Sequence, residues 1–128
     1  MNLKGIHHVA IICSDYEKSK AFYLNVLGGK IIRETYRKER KSYKLDILIG
    51  EKDIIELFSF PNPPSRPTHP EACGLRHLAF RVDSVEEVVD YLDEKKIEVE
   101  PIRLDTLTGK KFTFFKDPDN LPIEIYEE

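Results

Sequence analysis

Short runs of alternating apolar and polar residues divide the chain into two similar sets of predicted β-strands. Residues 6–13, 30–36, 43–49 and 54–60 form the first set. Residues 75–82, 97–104, 111–116 and 121–126 form the second set. The alternation in residues 6–13 is imperfect, which predicts a strand buried on both faces.

One helix is predicted after the first strand of each set. Ser14 is followed by Glu17, and Ser84 by Glu87, so both starts have the form of a capping box. The first helix is predicted to end at Leu27, just before two glycines. The second helix has a single apolar face at helical spacing, formed by Val85, Val88, Val89 and Leu92.

The two sets of predicted strands, each with its helix, indicate an internal repeat. Residues 6–11 (IHHVAI) match residues 75–80 (LRHLAF), with an offset of 69 between the histidines at positions 8 and 77. Residues 55–57 (IEL) match residues 123–125 (IEI) at an offset of 68. We therefore predict an α+β protein with two tandem β-α-β-β-β units, at about residues 4–60 and 75–127 of one domain spanning residues 1–128. The proline-rich residues 61–74 are predicted to link the units.

Composition and charge narrow the classes of function. The chain of 128 residues is 41% hydrophobic and 34% charged, which is typical of an ordinary globular protein. Its net charge of −3 predicts no nucleic-acid partner, and no apolar run is long enough to predict a membrane span. Cys13 and Cys73 form no disulfide framework, and together with the lack of a signal-like start they predict a cytoplasmic protein.

The repeat places one histidine on the first strand and one glutamate on the last strand of each unit. These are His8 and Glu56 in the first unit, and His77 and Glu124 in the second. Strand parity predicts that His8 faces away from the helix and that His7 faces the opposite side. A single strand histidine or glutamate is more often a surface or ion-paired group, but four at matched positions favour a shared site.

Two imidazoles and two carboxylates make a mixed nitrogen and oxygen donor set. An ionised carboxylate within an apolar strand is costly unless it is paired, hydrogen-bonded or bound to a cation. We predict that His8, Glu56, His77 and Glu124 bind one divalent metal ion. Zinc and nickel head the expected metals, with cobalt, manganese and iron as alternatives that use the same donors.

These motifs resemble the vicinal oxygen chelate superfamily. The resemblance rests on residues 6–11, residues 74–80 (GLRHLAF) and the segment from Asp117-Pro118-Asp119 to residues 123–125. It is nearest to the glyoxalase I (lactoylglutathione lyase) family and covers almost the whole chain. It implies a cupped, incomplete barrel, a small-molecule substrate and a homodimer, in which the metal site lies within one chain or, as is often the case in this superfamily, is shared between chains. It places the four metal ligands at the residues selected above.

The resemblance also implies a reaction. The protein would be a metal-dependent lyase or isomerase that removes a proton next to a carbonyl while the substrate chelates the cation through two adjacent oxygens. The family motif assigns the catalytic base to Glu124, with Glu56 as its near-symmetric partner. The histidines would hold the metal and keep their protonation state.

Two positions depart from the glyoxalase I pattern. Ile12 and Phe60 stand where that family has an arginine and an asparagine that help to hold glutathione. We therefore predict a substrate other than the usual glutathione hemithioacetal, unless Lys110, Lys111 or the basic residues 37–41 supply the missing charge. Residues 37–41 are otherwise expected to form a solvated turn.

Other branches of the superfamily remain as alternatives. A non-catalytic, ligand-sequestering protein would lack a full ligand set. Fosfomycin-modifying thiol transferases use two histidines and one glutamate, which would leave Glu56 without a role. Epimerases resembling methylmalonyl-CoA epimerase carry an amide at the position of Glu56, and extradiol dioxygenases are usually longer chains.

Overall fold

The structure, a computed structural model, describes residues 1–128 as two compact units, Met1–Ser65 and Arg66–Glu128. In the first unit, a four-stranded sheet has the order β1-β4-β3-β2. Strand β1 runs parallel to β4, whereas the other neighbours are antiparallel. The elements in chain order are β1 (Val9–Cys13), α1 (Tyr16–Ala21), a π-helical turn (Phe22–Val26), β2 (Lys30–Arg37), a 3₁₀ turn (Lys38–Arg40), β3 (Ser42–Ile49) and β4 (Asp53–Ser59).

The second unit repeats this plan. Its sheet has the order β5-β8-β7-β6, and its first strand again lies parallel to its last. The elements are β5 (Leu78–Val82), α2 (Val85–Glu94), β6 (Arg103–Leu104), β7 (Lys111–Lys116) and β8 (Pro122–Glu127). The predicted α+β class with two tandem β-α-β-β-β units is therefore confirmed. The boundary after Ser65 falls inside the predicted linker.

Each sheet buries one face and leaves the other more open. In β4, Ile55 and Leu57 are buried, while Glu56 between them is only partly covered. In β1, Ile11 is buried but Ile12 is 55% exposed. The prediction that residues 6–13 form a strand buried on both faces is therefore wrong, because alternate side chains of β1 reach solvent. Below, "open face" means the less buried face of each sheet.

The helix starts agree with the sequence in one unit and differ in the other. Ser84 caps α2, since its side chain accepts a hydrogen bond from the backbone N–H of Glu87. The predicted capping box at Ser14 is not the one used, because Asp15 is the N-cap of α1 and its Oδ1 accepts from the N–H of Lys18 at 3.2 Å. Asp15 suits this position because its carboxylate also complements the positive end of the helix dipole.

Three strands are shorter than predicted. Strands β1 and β5 begin at Val9 and Leu78, three residues after their predicted starts. The largest difference is β6, which is only Arg103–Leu104 because Pro101 has no N–H to donate to a ladder. Thr113 holds this segment instead, as its hydroxyl donates to the carbonyl of Glu100 at 2.7 Å. None of the helices has the length and hydrophobicity of a membrane-spanning segment.

Candidate functional site

The first histidine–glutamate pair lies on the open face of the first unit. Parallel pairing of β1 with β4 sets Ala10 opposite Glu56, which brings His8 close to the glutamate side chain. His8 Nδ1 lies 3.5 Å from Glu56 Oε2. The histidine side chain is 39% exposed and the glutamate only 14%, so the carboxylate is largely withdrawn from water.

The second pair repeats this arrangement in the second unit. Ala79 of β5 lies opposite Glu124 of β8, and His77 Nε2 is 2.9 Å from Glu124 Oε2. The glutamate side chain is again 14% exposed, and the His77 ring meets the ring of Phe114 edge-on. The sequence repeat therefore places one imidazole against one carboxylate in each unit.

The spacing of these donors fits neighbouring ligands of one divalent ion. Donors about 2.0–2.2 Å from a metal are about 2.9–3.5 Å apart at octahedral or tetrahedral angles. The observed separations of 3.5 Å and 2.9 Å lie at these limits. Each pair supplies only two donors, and no group of three or more His, Cys, Asp or Glu side chains in the chain is placed to hold a metal. The shared four-ligand centre thus stays a prediction.

Charged residues surround the glutamate of the first unit. Lys44 Nζ lies 3.7 Å from Glu56 Oε1, the oxygen that does not face His8. The same ammonium is 3.2 Å from Asp46 Oδ1, although it is not aligned for a hydrogen bond. Arg33 Nε is 3.3 Å from the other oxygen of Asp46. Glu56 is therefore one member of a network of alternating charges.

Aromatic residues surround the glutamate of the second unit. Phe114 lies opposite Glu124, and Phe112 lies opposite Tyr126. The equivalent positions of β3 carry Asp46 and Lys44. No lysine or arginine lies within ion-pair distance of Glu124. The two matched His–Glu pairs thus lie in different settings, since the glutamate has a lysine neighbour in the first unit and aromatic neighbours in the second.

A short loop anchors the aromatic face. The Tyr126 hydroxyl donates to Asp105 Oδ2 at 2.9 Å and also contacts the hydroxyl of Thr108. Two hydrogen bonds hold the pKa of the Asp105 carboxyl below its usual range. The bond from the Leu107 amide has the larger effect, and the bond from the Tyr126 hydroxyl the smaller. The loop therefore fixes the end of the Tyr126 side chain on the strand that carries Glu124.

The placement of His7 differs from the prediction. His7 Nδ1 lies 2.9 Å from His8 Nδ1, and the two rings meet edge-on. The prediction that these side chains face opposite sides is therefore wrong. Residues 7 and 8 precede β1, so the alternation of a paired strand does not govern them.

The two positions that depart from the glyoxalase I pattern both lie on the first unit. Ile12 is exposed, and Phe60 stacks on Phe58 with ring centroids 6.2 Å apart. The guanidinium of Arg37 lies 4.8 Å from the centre of the Phe58 ring and 5.5 Å from that of Phe60. Arg37 is therefore packed on aromatic rings, whereas the solvated-turn prediction for residues 37–41 fits the exposed Lys38–Arg40 turn.

The remaining candidates lie away from both pairs. Cys13 is buried and its thiol donates to the carbonyl of Phe58, while Cys73 is an exposed free thiol. Lys111 forms an ion pair with Glu86. Lys110 is exposed. Neither lysine forms an ion pair with a candidate ligand.

Sequence reasoning missed a cavity of the second unit that is open to solvent. The cavity has a volume of about 270 Å³ and is lined by His77 together with cationic side chains. Among them are Arg66, Arg103 and Lys116. These residues are far apart in the chain and follow no spacing motif, so no sequence signal could have grouped them.

Comparison with known proteins yields matches along the whole chain. A family model described as the glyoxalase/bleomycin resistance protein/dioxygenase superfamily matches residues 5–125. The uncharacterized protein YwkD of Bacillus subtilis is 66% identical over 128 residues, which is 100% of both chains. The crystal structure of a glyoxalase family protein from Enterococcus faecalis is 50% identical, with a TM-score of 0.92 over 99% of this chain and 100% of that one.

Relatives with named activities are more distant. The mitochondrial methylmalonyl-CoA epimerase of Bos taurus is 30% identical over 77% of this chain and 58% of its own length. The lactoylglutathione lyase of Schizosaccharomyces pombe is 27% identical over 100% of this chain and 49% of its own length. The metallothiol transferase FosB of Lysinibacillus sphaericus is 28% identical over 98% and 84%.

Proposed function

This chain belongs to the glyoxalase/bleomycin resistance protein/dioxygenase superfamily, and we propose that it is a metal-dependent lyase or isomerase that moves a proton next to a carbonyl. That superfamily contains many metal-dependent enzymes, among them lyases, epimerases and thiol transferases. The observation that carries the proposal is the repeated His–Glu pair, with donor separations of 3.5 Å and 2.9 Å.

His8, Glu56, His77 and Glu124 are the residues proposed to hold the ion. A bound divalent cation would act as a Lewis acid towards a substrate carbonyl, which makes the neighbouring C–H more acidic. Imidazole nitrogens and carboxylate oxygens suit zinc, nickel, cobalt, manganese or iron. The proposal is that the two pairs act together, with a partner chain completing the site in a homodimer.

Glu124 is proposed as the general base. Its Oε2 faces His77, and no lysine or arginine lies close enough to pair with its other oxygen. In Glu56 both oxygens have charged or ionisable neighbours, since Oε2 faces His8 and Oε1 faces Lys44. A base needs an oxygen that is free to accept the proton and later return it, so Glu124 suits this role better than Glu56.

The substrate is proposed to be a small molecule other than the glutathione hemithioacetal of methylglyoxal. At the positions that hold glutathione in glyoxalase I, this chain has an exposed isoleucine, Ile12, and an aromatic side chain, Phe60. Loss of one charged hydrogen-bonding contact typically weakens binding by roughly ten- to hundredfold. We expect weak turnover of that hemithioacetal by the metal-loaded protein.

The central test compares metal content and turnover in matched glutamate variants. The wild-type protein, Glu124→Gln and Glu51→Gln are loaded with Ni²⁺ or Zn²⁺ and analysed by elemental analysis. Glu51 is the control, because it is exposed in the turn between β3 and β4. Proton abstraction is then followed as deuterium uptake from D₂O into methylmalonyl-CoA and into the hemithioacetal.

We expect stoichiometric metal in all three proteins. Exchange should fall about 10²- to 10⁴-fold in Glu124→Gln, because an amide oxygen can coordinate but cannot take the proton. Full exchange by Glu124→Gln with metal retained would refute the role of the base. If the wild-type protein takes up no stoichiometric metal, the proposed metal-dependent activity is wrong, and a ligand-sequestering protein of the same fold is favoured.

We also propose a homodimer and a cytoplasmic location. Each chain offers two incomplete donor pairs, and a second copy would supply the complementary pair for each site. The free thiols of Cys13 and Cys73 suit a reducing compartment. Sedimentation of the full chain with and without metal tests the dimer.

A further inference from the structure

The cavity of the second unit lies beside one member of a His–Glu pair. Its walls come from the segment around Arg66 and Thr68, from Arg103 of β6 and from Phe114 and Lys116 of β7. His77 is part of the same lining. A molecule in the cavity would therefore reach a candidate metal ligand without leaving this unit.

The cavity is positively charged in a chain whose net charge is −3. Its lining holds four cationic side chains and two carboxylates, an excess of two positive charges with the histidines neutral. Both carboxylates are already paired, Glu71 with Arg76 at 3.3 Å and Glu100 with Arg103 at 3.2 Å. Arg66 and Lys116 have no carboxylate partner, so the uncompensated charge lies on these two residues.

Two hydrogen bonds fix the Arg66 side chain, but not all of its donors have a partner. Its Nη2 donates to the carbonyls of Leu75 and Arg76, at 2.6 Å and 2.9 Å. Its Nε is buried and has no hydrogen-bond partner. The hydroxyl of Thr68, which also lines the cavity, is likewise buried and unpartnered. Buried polar atoms are normally satisfied by protein, water or ligand, so this wall of the cavity has hydrogen-bonding capacity that the protein itself does not use.

We propose that this cavity binds the anionic group of the substrate, a phosphate, phosphonate or carboxylate. Arg66 and Lys116 would supply both the charge and the hydrogen bonds to its oxygens. The inference rests on the proposed function, because it assigns a substrate class to the site beside His77. A fixed guanidinium is well suited to this role, since little of its side-chain entropy remains to be lost on binding.

The test measures anion binding to the metal-free full chain. Protein freed of metal on a chelating resin is titrated with inorganic phosphate, and separately with acetate, in chloride buffer by calorimetry. Lys116→Gln removes one charge from the cavity at an exposed position. Lys52→Gln is the matched control, because Lys52 is exposed in the β3–β4 turn of the other unit. Arg66→Lys keeps the charge but removes the guanidinium.

We expect saturable binding that weakens about tenfold in Lys116→Gln and in Arg66→Lys but not in Lys52→Gln. Stronger binding of phosphate would point to a phosphate or phosphonate substrate, and stronger binding of acetate to a carboxylate. Absence of saturable binding for both anions, or equal weakening in Lys116→Gln and Lys52→Gln, would overturn the inference. Because no metal is present, failure of the metal-dependent function would leave these results unchanged.

Discussion

Lys44 is predicted to stabilise the fold while weakening metal binding. Its ammonium lies between two carboxylates, 3.2 Å from Asp46 and 3.7 Å from Glu56. In Lys44→Met, Asp46 would keep only Arg33, whose side chain is 70% exposed. Glu56 would lose the cation that competes for its Oε1. The same change should therefore lower the free energy of unfolding and raise the affinity for a divalent metal.

The size of both effects follows from distance and burial. Unit charges at these separations attract by about 1 kcal/mol in water and about 5 kcal/mol at an effective dielectric constant of 20. The Lys44 side chain is 27% exposed and that of Asp46 only 8%, so the site lies between a surface and a buried ion pair. We expect a loss of about 2 kcal/mol, or about 6–10 °C in Tm. Release of Glu56 should tighten metal binding about tenfold.

Circular dichroism of the metal-free protein gives the stability, and calorimetric titration with Ni²⁺ gives the affinity. Lys52→Met is the control, since it removes the same charge from an exposed turn. Unchanged or weaker metal binding by Lys44→Met, at a temperature where it is still folded, would refute the view that Lys44 competes with metal for Glu56.

Two further predictions concern the first unit. A Cβ added at Gly29 would lie 2.4 Å from Ile47 Cγ2 and 2.9 Å from the carbonyl oxygen of Tyr23, so Gly29→Ala should cost about 1–3 kcal/mol in urea unfolding. Hydrogen bonds from Lys20 and, to a smaller extent, from Tyr16 lower the pKa of Glu34. The ionised Glu34 therefore stabilises the fold fully above the ordinary glutamate pKa, and this stabilisation is lost as the pH falls through the lowered pKa. Glu34→Gln should therefore lower Tm at pH 7, and the difference from wild type should shrink towards pH 3; a constant difference would contradict this assignment.

Local patterns predicted most of the secondary structure because burial on one face leaves a regular trace in a strand. The alternating pattern does not predict strand ends or helix starts, because hydrogen bonding rather than burial determines them. Residues 97–104 look like a strand, but Pro101 interrupts the ladder and only Arg103–Leu104 pair with β7. Ser14 and Asp15 are both good N-caps by residue type, and only the backbone geometry selects Asp15.

The sequence repeat predicted the two His–Glu pairs of the candidate site but not the residues around them. His8 with Glu56, and His77 with Glu124, occupy matched positions, and each pair is in contact. The settings of the two glutamates are not repeated, since Lys44 has a phenylalanine, Phe112, as its counterpart. Such cross-strand neighbours depend on the register of β3 and β7, which residue patterns alone do not determine.

Parallel pairing of the first and last strands of each unit has a consequence for how the donor pairs assemble. Strands β3 and β4 are joined by a tight turn and close early, whereas the contact of β1 with β4 brings together residues separated by more than forty positions. Strand β1 has five residues and lies at the end of its sheet, so it can detach while the hairpins persist. We therefore expect His8 and Glu56 to meet late in folding, and a ligand that bridges them to slow amide hydrogen exchange in β1 more than in β2.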